Sequence, residues 1–282
     1  MTERQETANP WERREQENEL IKLRMGKVKH KIAIISGKGG VGKSLVTVNL
    51  AALLAKDGRE GMVAIFDADL TGPCVPKMMG LKGEKLMAGP PGIFPAVGAE
   101  GVKVISMALF LPSDDSPVIW RGPLKMGAIR QFLAEVAWGP LDYLLVDLPP
   151  GTGDESLSVL QLLPEMDGVV IVTIPSEVSQ EVVKKAVTFA RKMGVRIFGI
   201  VENMGSLVCP HCGETLDVLG EGGGERVAHE MGTDFLGSIP MDPRISMDSD
   251  EGTPFVIRHP NSQASRAFGE IVMKIEEKVN EG

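Results

Sequence analysis

A glycine-rich segment, SGKGGVGKS at residues 36–44, has the spacing G-x-x-x-x-G-K-S between the apolar run Ile32 to Ile35 and a helix-like sequence. In that context the backbone N–H groups of the loop point at phosphate oxygens, and the following helix adds its positive N-terminal end. Lys43 would then reach the β- and γ-phosphates of a nucleotide, and the Ser44 hydroxyl would ligate Mg²⁺. The alternative is a glycine-rich turn that binds nothing. The order of strand, motif and helix along the chain disfavours this alternative. The residues predicted to contact ATP are Gly37, Lys38, Gly39, Gly40, Val41, Gly42, Lys43 and Ser44.

Carboxylates follow two further apolar runs. The run 62–66 ends in Asp67-Ala-Asp69, and the run 143–146 ends in Asp147. Carboxylates at strand ends beside a phosphate-binding loop can hold Mg²⁺ through water, and we assign Asp67 and Asp147 to that role. The alternative for each aspartate is that it caps the next turn, as Asp often does.

The cysteine pair of the segment CPHCG, Cys209 and Cys212, is the third candidate site. As a metal knuckle, C-P-x-C-G is a tight turn that aims two thiolates at one metal. A dithiol redox site is an alternative, although the segment that follows is a poor helix, and an incidental pair without a ligand is another. Tetrahedral Zn²⁺ and Fe–S clusters both usually take four ligands, so one knuckle leaves such a site incomplete. His211 is interpreted as a filler of the knuckle rather than a ligand.

The elements that must position these residues alternate along the chain. Short apolar runs rich in β-branched residues suit strands buried on both faces, and the segments between them carry helix signals. We therefore predict a doubly wound α/β fold with a mainly parallel sheet flanked by helices, whose ligands collect beyond the carboxyl ends of the strands. Two insertions interrupt this pattern, one over 81–101 that is predicted as a hairpin or loop and one over 204–225 without clear periodicity. The predicted strands are 32–35, 62–66, 102–106, 143–146, 169–174, 197–201 and 235–239.

The composition and charge of the chain disfavour several classes of function. The 282 residues are 43% hydrophobic, which is enough for a sizeable core. Lys and Arg number 30 against 38 Asp and Glu, and the net charge of −8 disfavours a general nucleic-acid or anionic-membrane binder. No apolar run approaches the ~20 residues of a membrane-spanning helix, and the charged start lacks a signal-peptide core, so we expect a cytoplasmic protein.

We predict a polar tail with a short helix over 1–29 and one ATPase domain over 30–282, which includes a cysteine loop at 205–224.

Lys38 adds a second lysine to the phosphate-binding loop. The pattern KGGxGKS resembles the deviant Walker A loop of the MinD, ParA, arsenical-pump and nitrogenase-iron-protein class. The resemblance implies a homodimer with facing ATP sites, in which Lys38 crosses to the partner's nucleotide and stabilises charge on the transferring phosphoryl group. It also implies that Asp69 positions or polarises the attacking water and that Asn203 reads adenine. The turn over 149–153 would sense the γ-phosphate.

Longer stretches are similar to the Mrp/ApbC family of ATP-dependent iron–sulfur cluster carriers, including DADLTGPCVPKMMG at 67–80 and GIVENMGSLVCPHCGE at 199–214. The resemblance implies a slow ATPase dimer that holds a labile [4Fe–4S] cluster between the CxxC pairs of two chains, here Cys209 and Cys212, and passes it to apo-proteins. A bridging Zn²⁺ would suit the same thiolates. Cys74 stands where the family pattern has Ser, and we expect it to be a small buried residue rather than a ligand.

Two other functions stay open. A zinc-bridged, nucleotide-dependent switch would use the same residues without carrying iron. A MinD/ParA-like positioning ATPase would need a basic amphipathic anchor or a basic DNA-binding surface. The C-terminal segment SRAFGEIVMKIEEKVNEG, with its many glutamates, disfavours the anchor.

Overall fold

The computed structural model describes residues 10–56, 58–110, 122–209 and 211–281. The strands in these ranges are β1 Val28–Ser36, β2 Val63–Asp67, β3 Met87–Gly89, β4 Gly92–Phe94, β5 Ala96–Val97, β6 Lys103–Ser106, β7 Leu141–Asp147, β8 Gly168–Thr173, β9 Ile197–Glu202, β10 Leu207–Val208, β11 Thr215–Leu216 and β12 Phe235–Ser238. The helices are α1 Pro10–Met25, α2 Lys43–Leu54, α3 Val75–Met78, α4 Gly122–Glu135, α5 Asp154–Leu162, α6 Glu177–Lys192, α7 Gly223–Glu230, α8 Pro243–Glu251, α9 Phe255–Arg258 and α10 Gln263–Asn280.

One eight-stranded sheet organises the described chain, in the order β12-β9-β8-β1-β7-β2-β6-β5. All neighbouring strands pair parallel except β5, which pairs antiparallel with β6 at one edge. The crossover between parallel strands needs a helix or a long connection, and these helices cover both faces of the sheet. The predicted α/β fold with a mainly parallel sheet is confirmed.

The core has two layers, one on each face of the sheet. Successive side chains of β1 point to opposite faces, so Ile32 and Ile34 join one layer while Ala33 and Ile35 join the other. The first layer is completed by α2, α8, α9 and α10, and the second by α1, α4, α5, α6 and α7. Burial on both faces explains why the central strands are continuous apolar runs rather than alternating ones.

The first strand begins earlier than predicted, at Val28 rather than Ile32. The charged residues between them obscured it, because Lys29 pairs with Asp142 on β7 and Lys31 is buried with its ammonium donating to the Val28 carbonyl at 3.2 Å. The short helix predicted in the N-terminal segment is α1, whose Ile21 and Met25 are buried in the core. Residues 1–9 of that segment lie outside the described residues.

The two insertions form short hairpins. Strands β3 and β4 pair antiparallel within the first, as the hairpin prediction required. Strands β10 and β11 pair antiparallel within the second and present the cysteine turn at their tip. At the C-terminus α10 buries Phe268 and Ile271 against the first core layer. No helix among the described residues is long and apolar enough to cross a bilayer.

Candidate functional site

The candidate nucleotide site lies at the carboxyl ends of the central strands. Strand β7 lies between β1 and β2, and Asp147 at its end is in register with Ile34 on one side and Asp67 on the other. Both carboxylates are buried, with Asp147 0% and Asp67 1% exposed. The parallel register therefore brings together aspartates that are far apart in sequence, directly behind the phosphate-binding loop.

Asp147 is the centre of a buried hydrogen-bond network. Its Oδ1 lies 2.6 Å from Lys43 Nζ, and its Oδ2 accepts from Ser44 Oγ at 2.5 Å. Thr47 Oγ1 donates to Oδ1 as well, at 2.9 Å. Thr47 was missed in the sequence, although its position one turn after Lys43 on the same face of α2 was a usable signal. Asp147 thus orients the two loop side chains that are expected to meet phosphate and metal.

Asp67 completes an oxygen-rich site. It accepts from Ser106 Oγ at 2.9 Å and from the Asp69 backbone N–H at 3.2 Å, but it has no ion-pair partner among the described residues. Burial, and next the neighbouring Asp147 carboxylate, raise the pKa of Asp67 well above its usual range. Only one of the two buried carboxylates, Asp147, is paired with an ammonium, so a cation bound here would relieve their repulsion. The donor set of Ser44, Asp67 and Asp147 therefore fits Mg²⁺.

The loop conformation requires glycine at two positions. A Cβ on Gly37 would lie 2.6 Å from the Val182 carbonyl oxygen of α6. Gly42 has a positive φ of 79°, and a Cβ there would lie 2.2 Å from Asn203 Nδ2. The loop backbone lies so close to α6 and to the end of β9 that neither position has room for a side chain.

Lys38 lies in the half-buried part of the loop, and its carbonyl oxygen accepts from Ser36 Oγ at 3.0 Å. Its ammonium makes no hydrogen bond or ion pair within the described chain. Lys43, in contrast, is buried and paired with Asp147. The two lysines of the motif therefore occupy different environments.

Asp69 caps the turn that follows β2, as the alternative interpretation of the aspartates predicted. Its Oδ1 accepts from the Thr71 backbone N–H at 3.2 Å, from Thr71 Oγ1 at 2.8 Å and from the Gly72 N–H at 3.2 Å. These bonds fix the turn that follows β2. The carboxylate lies at the same edge of the sheet as Asp67, and its role toward water stays a prediction.

Cys74 corrects an expectation. It was expected to be buried, but it is exposed, and its thiol lies 3.2 Å from the Gly72 carbonyl oxygen. Cys74 follows the turn capped by Asp69 and is the residue immediately before α3. Val75, the first residue of α3, is buried in the core, whereas Cys74 is not.

Asn203 connects the loop to a cavity of about 460 Å³. Its Nδ2 donates to the Val41 carbonyl at 2.9 Å, and its side chain is buried. The cavity has a mainly apolar lining that includes Leu45, Met204, Leu207, Pro240, Met241 and Ile245. A volume of this size beside the phosphate-binding loop suits a planar base. Sequence analysis assigned no binding role to the segment 240–245, although it follows β12 at the same edge of the sheet as the other candidates.

The cysteine pair lies at the tip of the β10–β11 hairpin. The Cys209 N–H donates to the Glu214 carbonyl at 2.8 Å, and the Gly213 N–H donates back to the Cys209 carbonyl at 2.9 Å. Cys209 is half-buried and Cys212 exposed. Backbone N–H groups of Cys212 and His211, followed by the Cys212 thiol, lower the pKa of Cys209. The turn therefore supports a thiolate as a knuckle does.

The described part of one chain does not supply a complete metal site around this pair. In the described ranges no group of three or more His, Cys, Asp or Glu side chains is placed to hold a metal ion. His211, interpreted as a filler, is exposed.

The hairpin is attached directly to the nucleotide edge. The Gly205 N–H donates to the Ile239 carbonyl at 2.9 Å, and the Met241 N–H donates to the Ser206 carbonyl at 3.1 Å. Leu207, the first residue of β10, lines the cavity next to Asn203. The structure thus brings the phosphate loop, the aspartates and Asn203 together and places the cysteines beyond them on a connected segment.

The sequence is similar to a protein family and to curated proteins over most of its length. The sequence profile of a ParA-type family, described as NUBPL iron-transfer P-loop NTPase, matches residues 27–276. The iron–sulfur cluster carrier protein of Methanocaldococcus jannaschii is 52% identical over 264 residues, which cover 94% of this chain and 90% of that protein. The carrier protein of Saccharolobus solfataricus is 51% identical, with 90% of this chain and 86% of that protein covered.

Solved structures share the fold. A nucleotide-binding protein from Archaeoglobus fulgidus, in complex with ADP and with cobalt found by PIXE, is 42% identical with a TM-score of 0.73, and the match covers 83% of this chain and 91% of that one. The cell division ATPase MinD of Pyrococcus furiosus is 25% identical with a TM-score of 0.62, covering 88% and 98%. The predicted resemblance to iron–sulfur cluster carriers is confirmed, and the chain belongs to the NUBPL iron-transfer P-loop NTPase family of ParA-type proteins.

Proposed function

We propose that this protein binds and slowly hydrolyses ATP, and that two copies hold a [4Fe–4S] cluster between their cysteine pairs and transfer it to apo-proteins. The observation that carries the ATPase part is the network around Asp147, in which Lys43 and Ser44 are oriented beside a second buried carboxylate. The ADP complex of the Archaeoglobus fulgidus relative supports nucleotide binding.

Each residue at the nucleotide edge has a distinct proposed role. Lys43 leaves Asp147 to bind the β- and γ-phosphates. Ser44, Asp67 and Asp147 would hold Mg²⁺, which neutralises phosphate charge when bound. Asn203 and the adjacent cavity receive the adenine base.

Two residues act on the transferred phosphoryl group in this proposal. Asp69 orients the attacking water. Lys38, whose ammonium has no partner in the described chain, reaches the nucleotide of the second copy and stabilises charge in the transition state.

The cluster part rests on ligand count. A cluster held by four thiolates needs two hairpins, because each described chain presents one pair, Cys209 and Cys212. Two hairpins meeting on a twofold axis supply those four thiolates. The names of the curated relatives, iron–sulfur cluster carrier proteins, support iron as the cargo. The same thiolates suit Zn²⁺, so metal analysis separates a carrier from a zinc-bridged switch.

The test is anaerobic purification followed by reconstitution with iron and sulfide. We expect the broad visible absorption of a [4Fe–4S] cluster, iron and sulfide in equal amounts, and transfer to an apo-protein that regains its own cluster. Cys212→Ser should lose the absorption, and Cys74→Ser, the matched control on an exposed cysteine outside the hairpin, should keep it. Stable zinc with no iron uptake would instead support the zinc-bridged switch.

A further inference from the structure

The turn Pro149–Gly153 has an internal support that the proposed mechanism does not use. This turn connects β7 to α5 and was predicted to sense the γ-phosphate. Ser156, in the first turn of α5, is 2% exposed. Its Oγ lies 3.1 Å from the Pro149 carbonyl oxygen and 3.2 Å from the Gly151 carbonyl oxygen. One buried hydroxyl therefore donates to two carbonyls of the turn in a three-centre arrangement.

The opposite side of the turn is held by the phosphate-binding loop. The Gly151 N–H donates to the Ser36 carbonyl at 2.9 Å, and the Ser36 hydroxyl donates to the Lys38 carbonyl at 3.0 Å. A continuous set of hydrogen bonds thus runs from Ser156 through Gly151 and Ser36 to the loop residue Lys38. A displacement of the turn changes the position of the loop backbone as well.

The helix that carries Ser156 is joined at its start to a neighbouring helix. The α5 helix begins at Asp154, and its second residue, Glu155, forms an ion pair with Lys125 of α4 at 2.6 Å. The Lys125 side chain is 10% exposed and that of Glu155 39%, so a partly buried ion pair joins the start of α5 to α4. The turn itself contains two prolines, which have no N–H to donate to its carbonyls. The Ser156 hydroxyl is thus a fixed donor beneath the turn.

We propose that Ser156 is a positioning residue that holds the Pro149–Gly153 turn in the conformation that meets the γ-phosphate, so that Ser156 sets the preference of the site for ATP over ADP. The inference rests on the proposed ATPase function. Ser156 touches neither nucleotide nor metal in this scheme. It acts through Gly151, which contacts the loop directly. Loss of its hydroxyl should therefore weaken the contact specific to ATP and leave the contacts that ATP shares with ADP.

The test compares Ser156→Ala with Ser158→Ala in the full chain. Ser158 is on the same helix, and its hydroxyl also donates to a backbone carbonyl, that of Asp154 at 2.6 Å, but it is partly exposed and does not contact the turn. Dissociation constants for Mg²⁺ADP and for a non-hydrolysable Mg²⁺ATP analogue are measured by calorimetry. We expect Ser156→Ala to reduce the affinity ratio of analogue to ADP by about fivefold to tenfold, with ADP affinity within about twofold of wild type. Ser158→Ala should keep the wild-type ratio, and Ser156→Thr, which retains the hydroxyl, should restore most of it.

Each other result contradicts the inference. Equal weakening of both nucleotides in Ser156→Ala would show a general structural role, and an unchanged ratio would show no role in discrimination. In either case wild-type binding would leave the proposed ATPase intact. Wild-type protein that binds neither nucleotide would overturn the proposed function itself and this inference with it.

Discussion

Lys43 and Asp147 form a buried ion pair, with 2.6 Å between Nζ and Oδ1 and side-chain exposures of 6% and 0%. The pair joins the first residue of α2 to the last residue of β7 and places the lysine of the phosphate-binding loop directly behind it. The carboxylate neutralises this lysine. In the proposed function, phosphate binding makes the ammonium exchange one anionic partner for another, and Asp147 becomes available to Mg²⁺.

The first prediction concerns stability. Asp147→Asn removes the only carboxylate that forms an ion pair with the buried Lys43 ammonium among the described residues, which should lower the free energy of unfolding by about 3 kcal/mol. In the double variant Lys43→Met with Asp147→Asn, both charges of the ion pair are gone, and much of that loss should be recovered. Urea denaturation of the nucleotide-free protein measures the free energy of unfolding of Asp147→Asn, of Lys43→Met and of the double variant. Asp154→Asn, at an exposed carboxylate at the start of α5, is the control. Additive effects of the two single substitutions would show that the pair is not coupled.

The second prediction separates the two lysines of the loop. Lys38→Ala should leave the affinity for Mg²⁺ATP nearly unchanged but reduce kcat by about a hundredfold or more, because its contact is proposed to form chiefly in the transition state. Lys43→Ala should remove binding. Equilibrium titration and steady-state phosphate release measure the two effects, with the exposed Lys192→Ala as control. Parallel loss of binding and turnover in Lys38→Ala would make Lys38 an ordinary loop residue.

The third prediction distinguishes the two roles of Asp69. An asparagine keeps an oxygen that can accept from the Thr71 and Gly72 N–H groups, so Asp69→Asn preserves the turn and removes only the negative charge. If the carboxylate orients water, kcat should fall at least about tenfold with little change in ATP affinity. Full activity in Asp69→Asn would assign this residue to the turn alone. Thr71→Ala, which removes one donor to the same oxygen, controls for disturbance of the turn.

Sequence alone predicted the sheet and the residues at its carboxyl edge, because both follow from local pattern. Continuous apolar runs identify strands buried on both faces, and parallel strands bring the residues after each run together. Asp67 and Asp147 lie next to each other for that reason. The start of β1 was missed because Lys31 is buried in spite of its charge, with its ammonium satisfied by a backbone carbonyl.

Other features depend on contacts between distant residues and left no local pattern. Ser106 reaches Asp67 from the adjacent strand β6, and the cavity beside Asn203 is lined by residues of α2, of the end of β9 and of the start of α8. The exposure of Cys74 depends on the turn that Asp69 caps. A single serine or aspartate has several plausible hydrogen-bond partners in a sequence, and only the packed structure selects among them.

The fourth prediction concerns cysteine replacement. Cys209→Ser and Cys212→Ser should each abolish stable cluster binding, because twofold symmetry removes two of four ligands with one substitution. His211→Ala, on the same exposed turn, should retain the cluster. Visible absorption and iron content after anaerobic reconstitution provide the measurement. A Cys212→Ser protein that keeps a full cluster would place the ligands elsewhere.

The most direct test of the shared site is the mass of the reconstituted protein, recorded by native mass spectrometry under anaerobic conditions. The proposed arrangement predicts that cluster appears only on dimers, with about four irons and four sulfides for two chains, and that chelation of the iron shifts the protein toward monomer. A monomer that carries a complete [4Fe–4S] cluster, or a dimer that carries two, would contradict a cluster held between the cysteine pairs of two chains.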